Sequence, residues 1–166
     1  MIDMSAKKRI ILDTNIYGAF LEKGKTELVE HLRLSQKVII YGFDEIRREL
    51  RNTPITKRFG RRSFRTLILE AYDTLTQRHE YETDSMIENL ASEYTFEYGG
   101  GISKKEMHND FLIVACASVH GLDIVVTDDH HSMASDPAKR AYETINRLNG
   151  FKTPHFYNAS DLEKLL

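Results

Sequence analysis

The sequence predicts a single three-layer α/β/α domain built around one parallel sheet. Short runs rich in β-branched residues alternate with longer segments of helical spacing, which is the pattern of βα units. The chain has 166 residues, the size of one ordinary domain, and 41% of them are hydrophobic, which is enough to furnish a core. No repeat or change of composition demands a second domain. We therefore interpret residues 1–166 as one domain with a helical insertion at about 52–101.

The amino-terminal part of the chain predicts two βα units. Residues 9–12 form a short, isoleucine-rich run that indicates a buried strand. Thr14 or Asn15 is the expected N-cap of the helix that follows, and Gly24 ends that helix. The further predicted elements of this part are a helix over 26–34, a strand over 37–41 and a helix over 43–51.

The carboxy-terminal part predicts mainly helices, with two further strands. The predicted elements are helices over 63–75, 85–94 and 103–121, a strand over 124–127, a helix over 136–149, an edge strand over 154–158 and a final turn over 160–163. Residues 85–88 and 103–106 have the pattern of capping boxes. We expect N-caps at Asp136, just before Pro137, and at Ser160. Helices between successive strands can cover both faces of a parallel sheet.

Charge is distributed unevenly, although the net charge is only −2. Residues 47–65 hold eight basic residues and one acid, whereas residues 70–97 hold eight acids and one base. The basic segment favours a phosphate-rich ligand, with a solvated loop as the alternative. Its candidate substrate-binding residues are Arg58, Arg61 and Arg62. The acidic segment is typical of a solvated helix face.

Cysteine content and hydropathy restrict the class of protein. The only cysteine, Cys116, can form neither a disulfide framework nor a cysteine zinc site, and its surroundings indicate core packing. No apolar run approaches the roughly 20 residues that span a bilayer. The amino terminus also lacks the apolar segment of a signal peptide. We expect a cytoplasmic protein without a membrane partner.

Four acids stand where a parallel sheet would bring them together. Asp13 and Asp129 follow predicted strands, and sites in α/β sheets form in the crevice beyond the strand carboxyl ends. Glu49 and Asp110 lie on predicted helices. Divalent cations such as Mg²⁺ prefer oxygen ligands, and cations make a cluster of like charges tolerable. The four acids therefore point to a metal-dependent nuclease. The simpler alternatives are that Asp13 caps a helix and that Asp110 is an ordinary acid near a helix start.

The segments around these acids resemble the four motifs of PIN-domain nucleases. They are Ile-Leu-Asp-Thr-Asn at 11–15, Arg-Glu-Leu at 48–50, Asn-Asp-Phe-Leu-Ile-Val-Ala-Cys-Ala at 109–117 and Val-Val-Thr-Asp-Asp at 125–129. The family includes toxins of toxin–antitoxin pairs and ribosomal-RNA processing endonucleases. The resemblance implies a PIN-like parallel sheet and an endoribonuclease that cuts RNA with Mg²⁺ or Mn²⁺. For a toxin it also implies an antitoxin partner and a homodimer.

The resemblance also implies a role for individual residues. Carried over by position, the metal ligands are Asp13, Glu49, Asp110 and Asp129, with Thr127 lining the site and Asn15 orienting the first acid. Glu45, one helical turn before Glu49, is a rival, and the leucine after Glu49 favours Glu49. The family spacing Thr-x-Asp favours Asp129. Asp128 is then an additional or water-mediated ligand, or merely exposed.

Other functions are weaker interpretations of the same residues. His130 and His131 occupy a place where many relatives carry a further acid or a histidine, and we interpret them as a surface loop. No third histidine or cysteine at metal-site spacing supports zinc there. A PIN-fold module that binds RNA or protein without cutting is the main alternative, and the intact acidic quartet argues against it. A haloacid-dehalogenase-like phosphatase would need Asp-x-Asp where this chain has Asp13-Thr14-Asn15.

Overall fold

A five-stranded parallel sheet forms the centre of the protein in the computed structural model, which describes residues 6–77 and 79–166. The strands are β1 (Lys8–Leu12), β2 (Val38–Phe43), β3 (Arg58–Phe59), β4 (Arg62–Ser63), β5 (Glu80–Tyr81), β6 (Ile124–Val126) and β7 (His155–Tyr157). The order in the sheet is β5-β2-β1-β6-β7, and every pairing in it is parallel. Strands β3 and β4 form a separate antiparallel hairpin.

Helices cover both faces of this sheet. They are α1 (Thr14–Glu22), α2 (Thr26–Leu34), α3 (Asp44–Arg51), α4 (Phe64–Thr76), α5 (Ser85–Glu97), α6 (Lys104–Val119), α7 (Asp136–Asn149) and α8 (Ala159–Lys164). The chain moves one way along the sheet from β1 to β2 to β5 and the other way from β6 to β7. Right-handed crossovers therefore place α1 to α4 on one face and α5 to α7 on the other. The helices of each group pack against one another. The predicted three-layer α/β/α architecture is confirmed.

The central strands are buried on both faces, as their apolar runs predicted. All three residues 10–12 of β1 and all of β6 are buried between the helical layers. The sheet and α4 meet closely at Gly42, where an added Cβ would lie 2.3 Å from the Tyr72 hydroxyl oxygen. That hydroxyl accepts a hydrogen bond from the Phe43 amide at 2.9 Å and donates to Glu80 at 2.6 Å. Tyr72 thus ties α4 to β2 and β5.

The segment predicted as a helical insertion is more varied than expected. It contains α4 and α5, but also the β3–β4 hairpin and strand β5. β5 pairs with β2 at the edge of the main sheet, so this segment is part of the central layer. Each of these strands has only two residues, and a two-residue strand has no alternation of apolar and polar positions by which to predict it.

Four helix starts lie earlier than predicted. The N-caps expected at Thr14 or Asn15, Ser85, Asp136 and Ser160 are instead Asp13, Asp84, Ser135 and Asn158. Ser103 caps α6 as expected, accepting from the Glu106 amide. Several residues with cap-forming side chains are adjacent at each corrected start, and the one with extended backbone becomes the cap. Within the described residues, no helix is both long and apolar enough to cross a membrane.

Candidate active site

Asp13 and Thr127 meet at the carboxyl ends of two neighbouring strands. Leu12 of β1 is paired with Val126 of β6, and the Asp13 amide donates to the Val126 carbonyl at 2.8 Å. The Thr127 hydroxyl donates to Asp13 Oδ2 at 2.8 Å. The helix after β1 and the helix after β6 leave toward opposite faces of the sheet. In doubly wound sheets the crevice at such a reversal of strand order is the usual ligand site.

Asp13 combines two roles that the sequence offered as alternatives. Its Oδ1 accepts from the Thr14 amide at 2.7 Å and so caps α1, while its Oδ2 faces Thr127. The residue is only 5% exposed. Burial raises the pKa of Asp13, and the negative charges of Asp129 and Asp128 raise it further. A capped carboxylate can therefore also be the central acid of the site.

Asp110 and Asp129 share one hydroxyl group, that of Ser132. Ser132 Oγ lies 2.9 Å from Asp110 Oδ2 and also bonds to Asp129 Oδ2. One hydroxyl has a single proton to donate, so two carboxyl groups around it are best satisfied when one of them carries a proton. The shared Ser132 hydroxyl thus holds Asp110 of α6 next to Asp129, which follows β6.

The pKa values of these two acids shift in opposite directions. Burial raises the pKa of Asp110 to about 7, with the charge of Asp13 as the next cause. Burial also acts to raise the pKa of Asp129, but hydrogen bonds from the Ser132 hydroxyl and from the amides of Ser132 and His131 outweigh it. The pKa of Asp129 is therefore below its ordinary value. Near neutral pH, Asp129 is therefore ionised, whereas Asp110 is partly protonated.

Glu49 is held on α3 with one oxygen unsatisfied. Its Oε1 and the Thr14 Oγ1 are both buried, and neither forms a hydrogen bond of ordinary geometry among the described residues. The Thr14 hydroxyl is nevertheless close enough to act to lower the pKa of Glu49. Burial raises the pKa of Glu49, and the charge of Asp13 adds to it. The rival Glu45, one turn earlier on the same face of α3, is paired with Arg48, and its side chain is only 17% exposed. A buried polar atom without a partner in the protein suggests a ligand in the functional molecule.

The remaining predicted polar residues lie at the margin of this cluster. Thr127 is fully buried, and its Oγ1 also accepts from the Asp129 amide at 3.1 Å. Asp128 is exposed, and its Oδ1 accepts from the Ala159 amide at 3.0 Å at the start of α8. Asn15 is exposed on the first turn of α1. His130 and His131 are exposed in the loop after β6.

Ser132 is the residue at this site that the sequence analysis missed. It lies three residues after Asp129, and its amide donates to Asp129 Oδ1 at 2.9 Å. A serine three residues after an aspartate is a common turn pattern, which could have drawn attention to it. Its contact with Asp110 joins residues 22 positions apart in sequence, and no local pattern indicates that contact.

The oxygen atoms of these acids are the type of ligand that a hard divalent cation prefers, but they are not arranged as a coordination shell. Among the described residues, no three His, Cys, Asp or Glu side chains stand grouped as a ready metal-binding cluster. The oxygens of Asp13, Asp110 and Asp129 are engaged by hydroxyl and amide donors instead. All four acids supply only oxygen, and Glu49 offers an unpaired buried one. Oxygen donors of this kind suit Mg²⁺ and Mn²⁺.

The predicted arginines lie on the β3–β4 hairpin and not in the acidic cluster. Arg58 and Arg61 are exposed, and Arg58 Nη2 donates to the Arg61 carbonyl at 2.5 Å. Arg62 forms an ion pair with Glu70 on α4. Part of the positive charge that the sequence assigned to a substrate is therefore already paired within the protein.

Fold and site together define a doubly wound α/β domain with an acidic cluster at the point where strand order reverses. The sequence matches no family model and no curated protein. A solved structure with a similar chain is that of VapBC2 from Rickettsia felis, bound to a DNA fragment from their promoter. The match has a TM-score of 0.57 and 16% sequence identity, and it covers 90% of this chain and 98% of that chain. At this identity the likeness establishes the fold.

Proposed function

We propose that the protein is a metal-dependent endoribonuclease whose acidic cluster hydrolyses RNA phosphodiester bonds. The observation that carries the proposal is the junction of four acids from two strand ends and two helices. Their negative charges raise one another's pKa values, because the four carboxyl groups lie near each other. Among the described residues, Glu49 Oε1 is also buried without a hydrogen bond of ordinary geometry. The resemblance of the four sequence motifs to PIN-domain nucleases supports the same reaction.

Asp13, Glu49, Asp110 and Asp129 would hold the metal. A bound Mg²⁺ or Mn²⁺ supplies an activated water and polarises the phosphoryl group. The hydroxyl groups of Thr127 and Ser132 donate hydrogen bonds to Asp13 and Asp110 and so orient these carboxyl groups. Asp110, with a pKa of about 7, carries a proton over part of the neutral range. Cation binding would displace that proton, so metal affinity should rise with pH.

A toxin role is the finer form of this proposal. The similar chain belongs to VapBC2, a complex bound to promoter DNA. This supports an antitoxin protein as partner, and a homodimer follows from the same family resemblance. An RNA-processing role would need neither. A small antitoxin gene next to the gene for this protein would favour the toxin role, and its absence would favour processing.

The proposal is tested with a single-stranded RNA substrate and a matched pair of variants. Parent protein should cut the RNA with Mn²⁺ or Mg²⁺ and not with EDTA. Asp129→Asn should lose at least about 100-fold in rate, because it removes a proposed ligand. Asp128→Asn removes the same charge from the adjacent exposed residue and should stay within about threefold of the parent.

Two results would contradict the proposal. One is a folded parent protein that binds RNA but cuts none with either metal, which would favour the non-cutting module. The other is equal loss of activity in the Asp128 and Asp129 variants. Circular dichroism of each variant checks that the fold is retained.

A further inference from the structure

The hairpin formed by β3 and β4 is a small basic projection, here called the 58–63 hairpin. Arg58 pairs with Ser63 and Phe59 with Arg62 in antiparallel register. Gly60 turns the chain with φ of +67°, a conformation that suits glycine.

Two large apolar side chains are exposed in and beside this hairpin. Phe59 is 46% exposed and Ile55 is 56% exposed. Neither packs against the described hydrophobic core. An aromatic ring in this position gains little from folding, because most of its apolar stabilisation requires burial. Its exposed area is therefore available to a ligand.

The charges around Phe59 are only partly neutralised. Lys57 is paired with Glu22 at 3.0 Å, and Arg62 is paired with Glu70. Arg58 and Arg61 form no ion pair within the part of the chain that the structure describes. Phe59 thus adjoins, along the chain, two arginines that form no ion pair among the described residues, although Arg58, its neighbour on β3, points to the opposite face of the hairpin.

The base of the hairpin is fixed to the helices that build the acidic cluster. The Phe64 amide donates to the Lys57 carbonyl at 2.8 Å, and the Lys57 ammonium lies 4.1 Å from the Phe64 ring centroid. Lys57 also reaches Glu22 on α1, the helix that Asp13 caps. Arg65 Nη1 donates to the Arg51 carbonyl at the end of α3, two residues after Glu49. The base of the hairpin is therefore anchored to α1 through Lys57, and Arg65, at the start of α4, joins α4 to the end of α3.

We propose that the 58–63 hairpin binds an unpaired nucleotide of single-stranded RNA. Phe59 stacks on the base, and Arg58 and Arg61 supply positive charge to the phosphate backbone as the strand passes around the hairpin. The proposal rests on the proposed function for its choice of RNA as ligand. An aromatic ring flanked by cations is the arrangement that binds single strands without reading their sequence. A paired base is already stacked between its neighbours, so the hairpin should discriminate against duplex.

The experiment measures binding in EDTA, where no cutting occurs. The probes are a fluorescein-labelled 12-nucleotide single-stranded RNA, the corresponding duplex, and oligo-glutamate of equal charge. Phe59→Ala should weaken single-strand binding about tenfold. Phe59→Trp, which keeps a ring, should stay within about threefold of the parent. Phe96→Ala is the matched control, since Phe96 on α5 is 86% exposed and lies on the opposite helical layer.

The outcomes separate the candidate ligands. Equal affinity of the Phe59→Ala and Phe96→Ala variants for single-stranded RNA would overturn the proposal. So would a parent protein that binds duplex as tightly as single strand. Equal loss of RNA and oligo-glutamate binding in Phe59→Ala would assign the surface to an acidic protein segment and also overturn it. If Phe59→Ala fails to fold, Phe59→Leu replaces it, and the same comparisons apply.

The two proposals fail in distinguishable ways. Phe59-dependent binding with no cleavage by any metal would leave the hairpin proposal standing and reject the endonuclease. Metal-dependent cleavage with no effect of Phe59→Ala on binding would support the endonuclease and reject the hairpin proposal.

Discussion

The acidic cluster and the 58–63 hairpin carry opposite charge and are built in opposite ways. The acids are attached to buried strand ends and packed helices, with carboxyl oxygens fixed by hydroxyl and amide donors. The arginines stand on an exposed two-residue ladder, and one of them is neutralised by an exposed glutamate. Burial strengthens the effect of each charge, whereas water and salt screen exposed ones. Single changes should therefore have large effects in the cluster and small ones on the hairpin.

The largest expected effect separates two glutamates on the same helix. Glu49→Gln should reduce metal-dependent RNA hydrolysis at least about 100-fold, because it removes a charged oxygen donor from a buried site. Glu45→Gln, one turn earlier, removes the same charge from a glutamate that is already paired with Arg48 and should leave the rate within about threefold. Initial rates with saturating Mn²⁺ measure both. Equal rates for the two variants would remove Glu49 from the site.

An intermediate effect is expected on stability as a function of pH. The pKa of Asp110 is raised in the folded protein to about 7, from an ordinary value of 3.8. A raised folded-state pKa contributes stability below the unfolded-state pKa, and this contribution is lost as pH rises through the folded-state value. One pKa unit corresponds to about 1.4 kcal/mol, so the loss between pH 4 and pH 8 is at most about 4 kcal/mol.

Urea denaturation in EDTA measures this loss, with Asp110→Asn as the reference. The variant lacks the titrating carboxyl group, so its free energy of unfolding should fall less than that of the parent between pH 4 and pH 8. Identical pH profiles for the two proteins would show that Asp110 is not held protonated by the fold. Addition of Mn²⁺ at pH 8 should restore stability to the parent more than to the variant.

The smallest effect is expected from the ion pair on the hairpin. Glu70→Gln releases Arg62 and should tighten binding of single-stranded RNA about two- to threefold, with a steeper dependence on salt. The melting temperature should change by less than about 2 °C, because exposed ion pairs contribute little. Glu27→Gln on α2 removes the same charge without releasing an arginine and is the control. Equal effects of the two changes would indicate only the change in net charge.

The sequence was most informative where a local pattern is sufficient. β1, β2 and β6 are apolar runs that must be buried, and Asp13 and Asp129 follow two of them. Because parallel strands end at a common edge, the sequence alone indicated which acids would share that edge. The helices were also found from their periodicity, although their N-caps were displaced by one or two residues.

Contacts between distant, short or exposed segments were decided only by the tertiary structure. β5 and the hairpin strands have two residues each, so neighbouring segments and not their own sequence define them. The pairing of Arg62 with Glu70, and the bridge from Ser132 to Asp110, depend on which faces the packed elements turn toward each other. The same holds for the separated pKa values of Asp110 and Asp129, since burial and hydrogen bonding arise from packing. The sequence by itself thus determined the central strands β1, β2 and β6 and indicated which acids follow them. The tertiary structure decided how each acid is held and charged, because burial and long-range hydrogen bonds exist only once the layers have packed.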